Sequence, residues 1–364
     1  MRMRAFWILF FLLACTPKEL SFAPWDAGLP KTGEWRTNLA LADVNNDGLL
    51  DIGAIGRKGH AYAAVWLNQG NGSWTNSTNG IPQTMQCGVG VDFGDVNNDG
   101  NTDVAFGQHC GGAAVYLGNG ARAWTNYSNG LSPENVNPIA LADFDNDGLL
   151  DMMTLGAFTE GFTVYKNNGS AWMQQNTNLP RNVNATSYTI IAADVNNDEL
   201  TDAVSTGGTI FVFLNNGSFT FEQAQGLNAT GFFAYLALGD IDDDGLLDIA
   251  ASSHQQLLVY RQQTDHAWML RNNLTLSCGG IALKDINDDA QTDLIASCTK
   301  GITIFLGPDF AEKSINLPRP EGLPHGLHVE DINNDGKQDI IAAFGKETNL
   351  GREGIGGIHA WVQT

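Results

Sequence analysis

Seven times along this chain a nine-residue segment reads Asp, any residue, Asn or Asp, any residue, Asp, usually Gly, two further residues, then Asp. The copies begin at Asp43, Asp95, Asp143, Asp194, Asp240, Asp285 and Asp331, in steps of 52, 48, 51, 46, 45 and 46 residues. A recurring unit of that length is one supersecondary module used repeatedly. The 364 residues therefore read as one repeat domain rather than the two or three ordinary domains that length alone suggests. At 43% hydrophobic residues the chain can build a sizeable core, and no apolar run reaches the roughly eighteen residues of a membrane-spanning helix.

Around each acidic segment lie four short runs of strand-forming residues separated by Gly, Asn and Pro. The first copy shows Leu39 to Ala42, then Asp51 to Ala54, then Ala64 to Asn68, then a run opening at Trp74. Trp124, Trp172 and Trp268 open the corresponding fourth runs elsewhere, and Gly80-Ile81-Pro82 closes one of them. β-Branched and aromatic runs bounded by turn residues are strands, and four strands in 45–52 residues make one propeller blade. The expected fold is all-β, a seven-bladed β-propeller. The last repeat stops after its third strand at Trp361-Val362, and residues 25–30, running from Trp25 to Pro30, look like the missing fourth. The N-terminal strand is thus expected to complete blade seven and close the ring.

Within each acidic segment, positions one, three, five and nine carry side-chain oxygens. These are Asp43, Asn45, Asp47 and Asp51; Asp95, Asn97, Asp99 and Asp103; Asp143, Asp145, Asp147 and Asp151; and Asp194, Asn196, Asp198 and Asp202. The last three copies give Asp240, Asp242, Asp244 and Asp248; Asp285, Asn287, Asp289 and Asp293; and Asp331, Asn333, Asp335 and Asp339. The backbone carbonyl at position seven, Leu49 in the first copy, adds a further donor. An all-oxygen set on a curled loop suits calcium, so up to seven ions are expected. Glu199 and Ala290 replace the position-six Gly in the fourth and sixth loops, where a curl needs positive φ, so weaker binding is expected there.

The loops hold 26 of the 40 acidic residues, and seven calcium ions would move the formal charge from -21 to -7. The acidity thus reads as chelation, and it excludes the basic face that nucleic-acid binding needs. At about 1 mM calcium and a dissociation constant near 0.1 mM, each site adds about 1.4 kcal/mol. Seven together add about 10 kcal/mol, comparable with the net stability of a domain, so a structural role suffices for the metal.

Loops of this kind, followed by Val-Tyr-x-Asn-x-Gly stretches such as Val164-Tyr165-Lys166-Asn167-Asn168-Gly169, resemble the FG-GAP (VCBS-type) repeats of integrin α-subunit propellers and of many bacterial exported proteins. The resemblance covers residues 20–364. It implies the propeller and the calcium loops. It leaves function open between adhesion proteins, lectins and polysaccharide-cleaving enzymes.

The first residues, Met1-Arg2-Met3-Arg4 followed by an apolar stretch from Ala5 to Leu13, form a charged then apolar leader too short to span a bilayer. Its end, Leu12-Leu13-Ala14-Cys15, resembles the bacterial lipobox, in which cleavage precedes a cysteine that then carries lipid. The reading is residues 1–14 as signal peptide, 15–20 as tether from lipidated Cys15, and 21–364 as propeller. An ordinary signal peptide with Cys15 incidental is the alternative. Thr16 after the cysteine implies sorting to a Gram-negative outer membrane, with membrane contact through the anchor alone. In that setting the eight Asn-x-Ser/Thr sequons are chance.

Cys87 and Cys110 lie eight residues before and fifteen after Asp95; Cys278 and Cys298 lie seven before and thirteen after Asp285. Each pair flanks a loop on the two arms of a hairpin, which predicts the disulfides Cys87–Cys110 and Cys278–Cys298 in an exported chain. No Cys-x-x-Cys spacing suggests zinc.

The connections on the face opposite the acidic loops carry Trp35, Arg36, Arg57, His60, His109, His254 and His325. Loops on a rigid scaffold are common functional positions, and these residues form the candidate ligand face. The favoured function is a non-enzymatic binding or adhesion lipoprotein that holds a glycan or a protein there. The alternative is a polysaccharide lyase or hydrolase, with His60, His109, His254 or His325 as acid/base and Arg36 or Arg57 on a uronate. A structural part of an envelope complex is a third possibility.

Overall fold

The computed structural model describes residues 19–364, apart from 37, 58–60, 86, 157–160, 182, 184–186, 225, 228, 230, 314, 316 and 348–353. Regular structure among these residues is strand throughout, in seven four-stranded sheets. Every pairing within a blade is antiparallel. Blade one is a meander of Ala40–Ala42, Asp51–Ala54, Ala64–Asn68 and Trp74–Asn76. Blades two to six repeat it. First strands Gly88–Gly94, Val136–Ala142, Ile190–Ala193, Phe233–Gly239, Cys278–Lys284 and Leu323–Glu330 join Ala40–Ala42 around the central channel.

Blade seven combines both ends of the chain, in the order Phe22–Pro24, Gly354–Gln363, Asp339–Glu347, Leu323–Glu330. Closure by an N-terminal strand is as the sequence predicts, but the strand lies three residues earlier than residues 25–30. Phe22 pairs with Gln363, as Trp74 pairs with Asn68 in blade one. Phe22 is therefore the counterpart of the blade tryptophans, and Trp25 is not. Trp25 instead offers its carbonyl to the Trp74 indole N–H at 2.7 Å. Ser77 and Tyr127 do the same for Trp124 and Trp172, at 2.7 and 2.8 Å. The tryptophans thus bind each fourth strand to the exit of the preceding one. The glycines that follow these exits, Gly28, Gly80 and Gly130, have φ of 92°, 101° and 90°. A Cβ on any of them would meet the carbonyl oxygen of Trp74, Trp124 or Trp172 at 2.2 Å or less, so only glycine lets the next blade pass so close.

The core is divided into seven clusters, each between two neighbouring blades. Val65 and Leu67 of blade one pack with Phe106 and Tyr116 of blade two, and Ile341 and Ile358 of blade seven pack with Ile52 and Trp66 of blade one. Middle strands are buried on both faces, which is why Asp51–Ala54 and Ala64–Asn68 read as near-continuous apolar runs. At about 1.5–3 kcal/mol for each large side chain removed from water, a lone blade would forfeit both of its interfaces. Each blade therefore depends on its two neighbours for much of its stability.

Polar staples supplement this packing. A buried amide at the end of the third strand reaches a carbonyl in the preceding blade's acidic loop. Asn68 donates to Ile332 at 2.7 Å, Asn167 to Val96 at 2.6 Å and Asn215 to Phe144 at 2.8 Å. The longer Gln262 and Gln363 reach Val195 and Ile286 at 3.0 and 3.1 Å. Blades two and six have Gly118 and Gly307 at this place, where a Cβ would collide with the carbonyl of Thr102 or Thr292. There the hydroxyls of Thr102 and Thr292 reach back instead, to the carbonyls of Asp43 at 3.1 Å and Asp240 at 2.7 Å. The same two blades carry the disulfides Cys87–Cys110 and Cys278–Cys298, paired as the sequence predicts.

Candidate functional site: acidic loops and the opposite channel mouth

The seven loops share one geometry. The position-one carboxylate accepts the backbone N–H groups of positions five and six, for Asp43 from Asp47 at 3.1 Å and Gly48 at 2.7 Å. The position-five carboxylate accepts the N–H of position seven, Leu49 to Asp47 at 2.9 Å. Position nine is buried, and its two oxygens accept N–H groups from position two and from the third strand; Asp51 takes those of Val44 at 3.0 Å and Asn68 at 2.8 Å. Positions four and six take the left-handed conformation, with φ of 59° at Asn46 and 84° at Gly48. Glu199 and Ala290 hold it too, at 68° and 65°, and their N–H groups keep the bond to the position-one carboxylate at 2.8 and 2.7 Å. The departures at position six leave the loop's shape intact.

Curling these carboxylates together has an electrostatic consequence. Burial, then repulsion from Asp47 and Asp43, pushes the Asp51 carboxyl up to about 7 against the pull of its two N–H partners. Asp103 and Asp151 are likewise raised to about 7, and Asp202, Asp248, Asp293 and Asp339 to about 6. Such a cluster is short of positive charge. Carboxylate oxygens of Asp143, Asp145 and Asp151, and of Asp240, Asp242 and Asp244, lie within 4.8 Å of one another. The donors are oxygen only, so the set fits a hard divalent cation and not zinc. In the third loop Lys166 contacts Asp145 and sits 2.7 Å from Asp147; in the fifth, Arg261 contacts Asp242 and sits 3.4 Å from Asp244.

The other end of the channel is built differently. Inner strands are bulged near that mouth, between Val136 and Ile139, Phe233 and Tyr235, and Pro324 and Leu327. Bulges re-aim side chains, here placing Asn137, Tyr235 and His325 at the mouth. Arg36, Arg57, Val89, His109, Asn137, Ser187 and Tyr188 line a cavity of about 140 Å³ there. Arg36 Nε is paired with the fully buried Glu34 at 2.6 Å. Arg57 Nε is buried without a hydrogen-bond partner among the described residues. Tyr188 stacks on Tyr235 with ring centroids 5.2 Å apart.

His325, buried behind these rings, has Nε2 3.1 Å from the Gly345 carbonyl and Nδ1 2.6 Å from the Tyr235 hydroxyl. A carbonyl only accepts, so Nε2 carries the proton and Nδ1 accepts from Tyr235. Burial first, then the positive field of Arg36, pushes this imidazole down to about 3. It is neutral, and both of its nitrogens are engaged.

A sequence profile described as FG-GAP-like repeat matches residues 43–106, 95–154, 143–205 and 194–251, more than half of the chain. The chain belongs to the FG-GAP-like repeat family. No curated protein matches it in sequence. Among solved structures it is similar to an Agrocybe aegerita lectin described as recognising non-reducing terminal N-acetylglucosamine, at 16% identity and TM-score 0.53 over 77% of this chain and 80% of the lectin. It is also similar to BBS1N from a complex with ARL6DN, at 11% identity and TM-score 0.58 over 95% and 97% of the two chains. A Lactobacillus plantarum protein aligns at 14% identity and TM-score 0.54 over 79% and 86%. These likenesses establish a shared fold.

Of the residues expected on the ligand face, this FG-GAP-like propeller brings Arg36, Arg57 and His109 together at the cavity and places His325 behind it. His254 is exposed at the same end, where its charge acts on His325. Trp35 is not on the face. It is 1% exposed, packed edge-on against Trp66 at 5.4 Å with its indole N–H on the Thr32 carbonyl, because blades seven and one close over it. His60 and Cys15 lie outside the described residues. Sequence reading missed Glu34, Asn137, Ser187, Tyr188 and Tyr235, single polar or aromatic residues in strand-like runs that no repeat marks out. It also missed Lys166 and Arg261, for which alignment of the repeats holds a signal. The two disulfides point to an oxidising, extracellular or periplasmic setting. Among the described residues no helix is long and apolar enough to cross a membrane.

Proposed function

We propose that this FG-GAP-like propeller is a calcium-stabilised binding protein, exported and lipid-anchored through Cys15, that holds a glycan or protein ligand at the channel mouth opposite the acidic loops. The observation that carries the reading is Arg57, which lines the cavity and whose buried Nε has no acceptor among the described residues. Buried donors in native proteins are nearly always satisfied, and a ligand carboxylate or hydroxyl reaching into the cavity would satisfy this one. The cavity is too small for a whole ligand, so it would take the end group of something larger. Glycan recognition by the lectin of similar fold is consistent with this use of the scaffold, without assigning the same sugar.

Calcium would be held by positions one, three, five and nine of each loop and by the position-seven carbonyl. It would supply the positive charge the clustered carboxylates lack, with weaker binding at the fourth and sixth loops.

The test is a glycan array probed with residues 19–364, in calcium and then in chelator, with Arg57→Ala beside the native sequence. Binding to a narrow set of glycans, lost in Arg57→Ala at unchanged melting temperature, is the expected result. Binding that Arg57→Ala retains would remove the mouth from the proposal. A blank array with folded protein would move the ligand class from glycan to protein, to be sought by pull-down from envelope extract.

A further inference from the structure

We infer that Lys166 and Arg261 are built-in counter-ions that hold the net charge at the four ligand positions of two acidic loops equal to that of the other five, and so keep their calcium affinity in line with the ring. The affinity part rests on the calcium reading above; the pairing part rests on geometry alone.

The observation comes from aligning the blades by strand register. The residue after position nine pairs with a third-strand residue in every blade, as Ile52 with Trp66, Met152 with Tyr165 and Ile249 with Tyr260. The next third-strand residue stands over the loop. It is Leu67, Leu117, Leu214, Leu306 or Val362 in the five blades whose position three is Asn. It is Lys166 or Arg261 in the two blades whose position three is Asp, at Asp145 and Asp242. At these two register positions the cation and the extra carboxylate occur together in both cases, and neither occurs alone.

Hydrogen bonding gives the physical reason. In the Asn loops the amide N–H donates to the outer oxygen of position five: Asn45 to Asp47 at 2.9 Å, Asn97 to Asp99 at 3.0 Å, Asn196 to Asp198 at 2.9 Å. Asn287 and Asn333 do the same to Asp289 and Asp335, at 3.0 and 3.3 Å. An aspartate at position three has no proton to donate and adds a negative charge. Lys166 and Arg261 replace both missing features. Each donates to the same outer oxygen, on Asp147 and on Asp244, and each offsets the added carboxylate. Three carboxylates at the four side-chain positions of an Asn loop, and four with one cation in an Asp loop, give the same net charge. The Phe219 ring of the next blade lies 5.8 Å from Lys166 Nζ and shelters it.

The test is a pair of double-substitution cycles in the full propeller, read by calcium calorimetry and by thermal melting in chelator. Lys166→Leu alone should tighten one site per molecule by about tenfold, the scale of one unscreened charge a few ångströms away. It should also lower the metal-free melting temperature. Lys166→Leu with Asp145→Asn should restore both. The converse cycle installs the pair in blade one and keeps native Lys166, so it stands even if Lys166→Leu fails to fold. Asn45→Asp alone should tighten its site and destabilise the metal-free protein, and Asn45→Asp with Leu67→Lys should undo both changes. Additive single effects in metal-free melting would overturn the pairing. Coupled melting with no change in site affinity would overturn the affinity part. A native protein that takes up no calcium would sink the calcium reading while the metal-free cycles still decide the pairing.

Discussion

The two ends of this propeller solve opposite problems. At the loop end one arrangement appears seven times; the bond from position six to the position-one carboxylate spans only 2.7–2.8 Å across all seven copies. At the mouth nothing repeats. Arg36, His109, Asn137, Tyr188, Tyr235 and His325 come from six different blades and bring four kinds of side chain in no repeating order. A scaffold needs the same local solution at every interface. A site needs different groups converging on one point. The difference teaches that in a repeat protein the departures from the repeat are where chemistry collects.

The comparison can be broken most directly at the loop end. Chelation should remove about 10 kcal/mol if the seven sites act independently, lowering the melting temperature by more than about 10 °C. Calorimetric scans with and without chelator check this. An unchanged midpoint would leave the repeated end with no structural metal.

Next in size are the two disulfides, which close loops of 23 and 20 residues. Removing each as a Cys→Ser pair should cost about 3 kcal/mol. All four cysteines lie at or just beyond the mouth ends of strands, far from the loops. The cost should therefore be the same in calcium and in chelator, as distant contributions add. A disulfide effect that depended on calcium would show that the two ends are energetically joined.

An effect of similar size, but seen only in acid, is expected from His325 at the mouth. Its folded-state value, about 3, is depressed from an ordinary value near 6.5. As pH falls below about 6.5 the unfolded chain takes the proton and the folded chain does not. The stability from keeping this histidine neutral is therefore full above that pH and is lost progressively down to about pH 3. Denaturant titrations from pH 7 to pH 4 at saturating calcium should show a shallower acid loss for His325→Gln than for the native protein. Parallel curves would mean that His325 titrates normally.

The smallest effect is at position six. Glu199→Gly and Ala290→Gly should each stabilise the protein by about 1 kcal/mol, by removing a side chain from a left-handed conformation. The fourth and sixth sites should then bind calcium as tightly as the rest. No gain in melting temperature or site affinity would show that the loop tolerates the strain without cost.

The same contrast explains what could be read from the sequence. The blades, the closing strand and the disulfides follow from a repeated spacing, and repetition amplifies a weak local signal until it decides. The closing strand was displaced by three residues because Trp25 resembles the blade tryptophans, whereas the register needs an aromatic residue opposite Gln363, and Phe22 serves. Tyr188 and Tyr235 stayed hidden because their meeting depends on blades four and five packing side by side across 47 residues of sequence and on bulges that no local pattern announces. Trp35 misled for the converse reason. It neighbours Arg36 in sequence, but it turns into the interface that joins the last blade to the first.

The amide staples have a consequence beyond holding neighbours together. Each blade presents a donor on one flank and an acceptor on the other, so the contact is head-to-tail rather than self-complementary. Arrays of such contacts either close into a cycle or grow without limit. Here the cycle is completed where Asn68 meets Ile332 and where Phe22–Pro24 zips onto Gly354–Gln363. A chain cut back past Pro24 would keep every staple but lose its clasp. Its seventh blade would offer a bare strand edge to any other copy that still carries a free clasp. The N-terminal segment is therefore what lets the chain satisfy its own last edge instead of leaving it for another copy.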